Sequence, residues 1–343
     1  MMRVLTAAQD DAVRWDRFLD GQPSASNYHR WGWRRVVESS FSWPTYYLLA
    51  EEDGAVRGVL PLVWQKSWMF GSFLSSMPFF NFGGVVAETP AAERALVEEA
   101  VRLAQQLNAD HLELRHRHDC RLPLPVKTGK VAVVRQVCAD PEQLLRSLDK
   151  KVRADVRKSQ KAGFIAEFGG DEFLEDFYRV FAINMRDLGT PVYSRSFFHE
   201  IRRVFPDDTW ICRVRLGHET VAAAFLSGFR QTLEVPWAAS IHKYLPLKPN
   251  MFLYWNLLCF AGQKGCQMFD FGRSTVGSGT HKFKMQWGGE EVPMYWHYWV
   301  RGGAGLPEVN PHNPKYRLAI WAWQKLPVWV TRRIGPPIVR CLP

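Results

Sequence analysis

The strongest constraint on this chain is a plan met twice: short strand-like runs alternating with helical ones, once in each half. In the first half, 27–38 reads as a short aromatic helix and 45–50 as a strand. Glu52-Asp53-Gly54 is a hairpin turn that leads into a second strand over 56–63. A helix is predicted over 90–107, with Pro90 near its start and apolar residues at Leu96, Ala100, Leu103 and Leu107. The run 111–115 alternates as a strand. In the second half a helix is predicted over 141–161, a strand over 163–168 and a helix over 171–187. Strands follow at 210–216, 221–229 and 232–239, then a helix at 250–264 and a strand at 267–271. No close sequence repeat is visible, but two α/β halves of similar plan are.

The 343 residues suffice for two ordinary domains and a large core. Domains are expected at 1–140 and 141–306, with 307–343 a basic, aromatic C-terminal tail behind a linker at Asn310-Pro311-His312-Asn313-Pro314. No apolar run reaches the roughly 20 residues that span a bilayer. The N-terminus turns acidic at Asp10-Asp11 before an apolar core forms, so no signal peptide is expected. The six cysteines are scattered, with no C-x-x-C pair and none at zinc-ligand spacing with a histidine. Free thiols in a reducing cytoplasm and no metal site are the expectation.

A formal net charge of +10, unevenly spread, implies an anionic partner. On 145–161, Leu145, Leu148, Val152 and Val156 form one apolar stripe, while Lys150, Arg153, Arg157 and Lys161 repeat that spacing opposite. Such a row either tracks phosphates or a polyanion, or is a solvated face.

A second segment runs from Met268-Phe269-Asp270-Phe271-Gly272-Arg273-Ser274 through a small-residue loop to Phe283-Lys284-Met285-Gln286-Trp287-Gly288, read as a cationic strand. Gly277 and Gly279 would let a neighbour pass close over the loop. Lys284, flanked by Phe283 and Trp287, would be partly desolvated and suited to an oxyanion or a phosphate. The plain alternative is a glycine hairpin with an exposed lysine. A third segment, Met185-Arg186-Asp187-Leu188-Gly189-Thr190-Pro191-Val192-Tyr193, contains an ordinary helix stop. That stop does not account for Arg186, Asp187 or Tyr193, which are candidate site residues.

Together these segments resemble the FemAB-related proteins associated with PEP-CTERM/exosortase and exopolysaccharide gene clusters, within the GNAT acetyltransferase superfamily. The resemblance spans about 25–340 and implies an α/β (α+β type) fold of two tandem GNAT-like domains with mixed central sheets. It implies transfer of an acyl or aminoacyl group to an amine or hydroxyl of an envelope precursor, from acyl-CoA or aminoacyl-tRNA, with no permanently bound cofactor. In the aminoacyltransferase branch the lysine of an F-K-x-x-[FW]-G element stabilises the oxyanion, and the matching residue is Lys284.

The candidate bases are Asp187, Asp270 and His281. The candidate phosphate and substrate ligands are Arg153, Arg157, Arg186, Tyr193, Lys243, Lys248, Arg273, Gly277, Gly279 and Trp287. Arg273-x-x-x-Gly277-x-Gly279 is one residue off the usual acetyl-CoA loop spacing, and 240–250, where the pyrophosphate would sit, holds His242, Lys243 and Lys248 but no glycine loop. The long helical hairpin that some aminoacyltransferases use near tRNA is absent, which speaks against tRNA.

The expected partner is an anionic nucleotide-sugar, lipid-linked sugar or exopolysaccharide. Leu318, Trp321, Leu326, Trp329 and Val330 with interspersed cations either suit an anionic membrane face or belong to a tail packed on the second domain, and Pro327 and Gly335-Pro336-Pro337 should break the tail into short pieces. The alternative function is a noncatalytic glycan- or lipid-binding assembly factor.

Overall fold

The computed structural model describes residues 1–67, 70–303, 305–306 and 314–342. It divides into two compact units: Met1–Lys130 with Pro293–Val309 and Arg340–Pro343, and Val131–Val292 with Asn310–Val339.

The first unit is an eight-stranded sheet. Its strands are β1 (Arg3–Thr6), β2 (Thr45–Glu52), β3 (Ala55–Ser67), β4 (Gly71–Ser75), β5 (Val86–Ala87), β6 (His111–His116), β7 (Val126–Lys127) and the late strand β15 (Tyr295–Val300). They lie in the order β1-β2-β3-β4-β6-β15-β7, with β5 on β3. Side-chain alternation sorts the strands onto two faces. Leu48, Ala50, Leu60, Leu62 and Leu112 pack with Leu96 and Ala100 of α3 (Pro90–Gln106), while Tyr47, Leu49 and Val59 pack with Trp15 and Leu19 of α1 (Ala12–Asp20). Thr89 caps α3 by accepting the Ala92 N–H, and Pro90 opens its first turn. The aromatic run at 27–38 is a 3-10 turn followed by α2 (Gly32–Phe41).

The second unit holds β8 (Lys130–Gln136), α4 (Pro141–Arg146), α5 (Lys150–Gln160), β9 (Phe164–Gly169), α6 (Leu174–Asp187), α7 (Arg195–Val204), β10 (Thr209–Leu216), β11 (Glu219–Phe229) and β12 (Thr232–Ser240). It continues through α8 (Pro249–Gln263), β13 (Met268–Thr275), α9 (Gly279–Met285), β14 (Glu290–Pro293), α10 (Pro314–Lys325) and α11 (Val328–Val339). The sheet order is β14-β8-β13-β12-β11-β10-β9. β9 through β12 are antiparallel, with hairpins joining β10 to β11 and β11 to β12 and with α6 and α7 between β9 and β10, and the α8 crossover makes β13 parallel to β12. Apolar nearly all round, α8 is buried against one face, with Ala222, Ala224 and Leu226 of β11 beneath it. On the other face Phe225 meets Phe177 of α6 and Phe198 of α7.

Four expectations need correction. The helix over 141–161 is two helices, because Ser147 turns its hydroxyl back to the Leu144 carbonyl at 2.7 Å and the chain bends before Asp149. The cationic strand is the helix α9, because Ser278 caps it by accepting the His281 N–H. The expected cut after 306 falls differently, because β15 returns to the first sheet and pairs with β6 from Tyr295–His116 to Val300–His111. The tail is two helices: Pro327 separates them, but α11 runs on through Pro336 and Pro337. Of the expected linker, 310–313 lies outside the described residues.

Candidate functional site

The site begins where β12 and β13 part. Their parallel ladder has three pairs, Thr232–Met268, Leu233–Phe269 and Glu234–Asp270. Beyond it β12 continues to Ser240 and β13 to Thr275. Two buried carboxylates, Glu234 and Asp270, therefore sit side by side at the point of divergence. Asp270 Oδ1 accepts the Gly272 N–H at 2.7 Å, and Gly272, at φ 74°, supports that tight return.

The turn aims the carbonyls of Gly272 and Arg273 at Lys284, whose Nζ donates to them at 3.0 and 2.8 Å. Lys284 is only 6% exposed. Loss of solvent pushes its pKa down to about 8, and Arg273 adds to the fall, while the negative charges of Asp270 and Glu234 oppose it. An ammonium has three donors, and the two carbonyls take two of them. The expected desolvation of Lys284 is thus present, and its immediate partners are backbone carbonyls. Next to it, the Ser274 hydroxyl is buried without a hydrogen-bond partner among the described residues. Glu234 and Ser274 were not singled out from the sequence. A lone acid inside the apolar run of β12 was the available signal for the first, and a serine in β13 gave none for the second.

Of the other candidates, His281 lies on α9 with both ring nitrogens engaged. Nδ1 accepts the Gly277 N–H at 3.2 Å, and Nε2 faces Glu291 Oε1 at 2.8 Å. Trp287 is fully buried beside Tyr254 and Phe283, so it is a core residue with no surface for a ligand. A Cβ on Gly277 or Gly279 would meet nothing within 4 Å, so among the described residues no neighbour packs against either glycine. Gly277 is needed for its φ of 78°.

Lys243 pairs with Glu219 at 3.2 Å, and Lys248 pairs with Asp155 from α5. Arg153 and Arg157 line a cleft of about 380 Å³ together with Glu142, Leu145 and Arg146. Arg153 also donates to the Arg146 carbonyl at 3.0 Å.

The third segment docks the C-terminal helices. Arg186 pairs with Asp187 at 2.6 Å and donates to the Leu326 carbonyl, while Gln324 donates to the Asp187 carbonyl at 2.8 Å. Gly189, at φ 73°, lies so close to α10 that a Cβ would stand 2.4 Å from Ile320 Cγ2. Tyr193 packs edge-on to Trp237. The structure therefore gathers Asp270, Arg273 and Lys284 with Glu234, and gives Arg186 and Asp187 a visible structural task.

In the first unit Cys120 Sγ lies 3.6 Å from His118 Nε2, with Glu93 close by.

Residues 146–285 match the acetyltransferase (GNAT) domain family. No curated protein matches the chain. Among solved structures it is similar to FemX, at 15% identity and a TM-score of 0.67, over 93% of this chain and 100% of that one. A tandem GNAT protein from the clavulanic acid biosynthesis pathway is 10% identical with a TM-score of 0.54, over 89% and 100%. The C-terminal domain of a putative lysylphosphatidylglycerol synthetase from Agrobacterium fabrum is 11% identical with a TM-score of 0.56, over 86% and 92%. At these identities the likeness establishes the fold. The tandem GNAT-like arrangement with mixed sheets, expected from the sequence, is what the chain adopts.

Proposed function

We propose that this chain is a GNAT-type acyl- or aminoacyltransferase that modifies an amine or hydroxyl of a cell-envelope or exopolysaccharide precursor. The observation that carries this reading is the buried Lys284 ammonium, fixed by two carbonyls at the end of β13 where β12 and β13 separate. The acceptor attacks the carbonyl of an ester or thioester donor, its proton leaves to a base, and the tetrahedral oxyanion collapses to expel the donor alcohol or thiol. Lys284 supplies the positive field for that oxyanion in a site with little water, where such a charge acts most strongly.

Asp270 holds the Gly272 turn and, with Glu234, keeps the ammonium charged. It is the candidate base with the most direct tie to Lys284; His281 and Asp187 are the other two. Arg273, with the cleft lined by Arg153 and Arg157, suits the phosphates of a donor or acceptor. The donor is acyl-CoA or aminoacyl-tRNA.

The envelope assignment draws on the PEP-CTERM and exopolysaccharide resemblance and on likeness to FemX and to a lysylphosphatidylglycerol synthetase domain. The C-terminal helices add support: Leu318, Trp321 and Trp329 are 70, 59 and 71% exposed, among Arg317, Lys325 and Arg333. No helix among the described residues is long and apolar enough to cross a membrane. Peripheral contact with an anionic leaflet on the cytoplasmic side would bring the enzyme to a lipid-linked acceptor. Trp321→Asp with Trp329→Asp should then abolish co-sedimentation with anionic liposomes; unchanged sedimentation removes the membrane part of the proposal. Deleting the tail is a poorer test, because it strips the cover from Gly189.

The direct test offers the purified protein labelled acyl-CoA and aminoacyl-tRNA separately, with an amino-sugar acceptor. Saturable binding of one donor and transfer of its label are expected. A second reading, a noncatalytic glycan- or lipid-binding factor, is favoured by the engagement of His281 and Asp187 in internal bonds. Binding of glycan or lipid with neither donor bound would establish that reading instead.

A further inference from the structure

The loop that follows β6 in the first unit carries chemistry that the transferase reading does not use. His118 and Cys120 stand two residues apart and turn the same way, with Nε2 3.6 Å from Sγ. Between them Asp119 turns elsewhere, its Oδ1 accepting the Arg121 N–H at 2.9 Å and standing 3.6 Å from His297 Nε2. From the first turn of α3, Glu93 brings a carboxylate oxygen, and all three ligand atoms lie within 4.8 Å of one another.

For zinc, with Zn–S near 2.3 Å and Zn–N near 2.05 Å at tetrahedral angles, the S···N edge is about 3.6 Å. The observed separation of His118 and Cys120 equals that edge without any movement. Glu93, with an oxygen within 4.8 Å of both, supplies the third corner of the face.

We propose that Glu93, His118 and Cys120 form a binding site for a borderline-soft divalent cation, zinc by chemistry, with a fourth position open to water. The donor set of one thiolate, one imidazole and one carboxylate selects against magnesium and calcium, which take oxygen ligands. On binding, the Cys120 thiol gives its proton to solvent and its sulfur lone pair to the metal. His118 coordinates as the neutral ring through Nε2. The two anionic ligands then balance the dication. No part of this rests on the assignment of Lys284, and the two can fail separately.

The test titrates chelator-treated full-length protein with cobalt(II) and follows the visible spectrum. One equivalent should give the d–d bands of tetrahedral cobalt with a thiolate-to-metal charge-transfer band, and zinc should erase both. Cys120→Ser should remove the charge-transfer band, and His118→Ala should weaken binding by more than about tenfold, the loss that follows even from an outer-shell change. Cys341→Ser should leave the spectrum intact. Both test positions are only partly buried or exposed loop residues, so the variants should fold. An octahedral spectrum, less than half an equivalent bound, or a charge-transfer band that survives in Cys120→Ser would overturn the proposal.

Discussion

Each of the two sheets contains a parallel pair made by a helical crossover, and each of these pairs lasts three residues. In the first unit Phe73, Leu74 and Ser75 lie against His111, Leu112 and Glu113; in the second Thr232, Leu233 and Glu234 lie against Met268, Phe269 and Asp270. The same geometry is then finished in opposite ways.

In the first unit the chain stitches its own seam. The Ser76 N–H donates to the Glu113 carbonyl, the Ser76 hydroxyl accepts the Arg115 N–H, and Gly83 and Gly84 both donate to the Arg115 carbonyl. The Arg115 guanidinium pairs with Glu113 at 2.6 Å and donates to the Phe80 carbonyl at 2.7 Å. Burial opposes ionisation of Glu113, but the Arg115 cation and the Tyr298 hydroxyl win and hold its carboxyl below the usual range. In the second unit a lysine and two carboxylates stand at the corresponding place. A short parallel ladder leaves a gap: backbone closes it in the first unit, and in the second it is left to the charged groups on which the proposed chemistry rests.

If the first seam is structural, breaking its charge pair is the most damaging single change. Arg115→Met should cost about 3–5 kcal/mol by leaving Glu113 buried and unpaired. Urea unfolding measures this, and a loss within experimental error would show that the seam is not held that way.

The second junction should reveal itself through pH. Lys284 loses its proton near 8 in the folded chain and only near 10.5 when unfolded. Between those values the unfolded state binds more protons, so the burial penalty, fully present below pH 8, is relieved as pH rises. The relief is about 3 kcal/mol. Wild-type stability minus that of Lys284→Met should therefore climb from pH 7 to 10; a flat difference would mean that the lysine is solvated.

Gly84→Ala sharpens the contrast at one atom. The new Cβ would stand 2.4 Å from His116 Cδ2 and 2.8 Å from the Arg115 carbonyl, and overpacking of this kind costs about 1–3 kcal/mol. Gly277→Ala in the second unit meets open space but must adopt φ 78°, so thermal melts should show a smaller loss, set by backbone strain alone. The smallest effect belongs to Arg153→Ala with Arg157→Ala. Stability should stay within about 0.5 kcal/mol, while the salt dependence of donor binding becomes shallower.

The longer strands β2, β3, β6 and β9 to β13 were legible because alternation and turn residues are local signals, as at 45–50 and Glu52-Asp53-Gly54, whereas β1, β4, β5, β7, β8, β14 and β15 were not read. Lys284 was legible through its neighbours Phe283 and Trp287, but its setting was not. Phe283 and Met285 alternate with Lys282 and Lys284 as in a strand, and only the Ser278 cap and the shortness of the segment make it helical. Trp287 was misread because an aromatic next to a candidate lysine can line a pocket or fill a core, and only packing decides.

What remained hidden is long-range. Nothing local tells that β15 pairs with β6, that Gly189 is a bed for Ile320, or that Glu93 reaches Cys120. The helix stop at Gly189 was read correctly, whereas its purpose depends on a partner some 130 residues later.

The central claim is that the junction of β12 and β13 performs acyl transfer through Lys284. Its most direct test is the single-turnover transfer rate of wild type, Lys284→Met and Lys284→Arg with the donor that binds. The methionine variant should fold and bind donor yet lose about 100- to 1,000-fold in rate. The arginine variant should recover part of the loss, without the alkaline fall expected of a lysine that titrates near 8. A folded, donor-binding methionine variant with the wild-type rate would contradict the account.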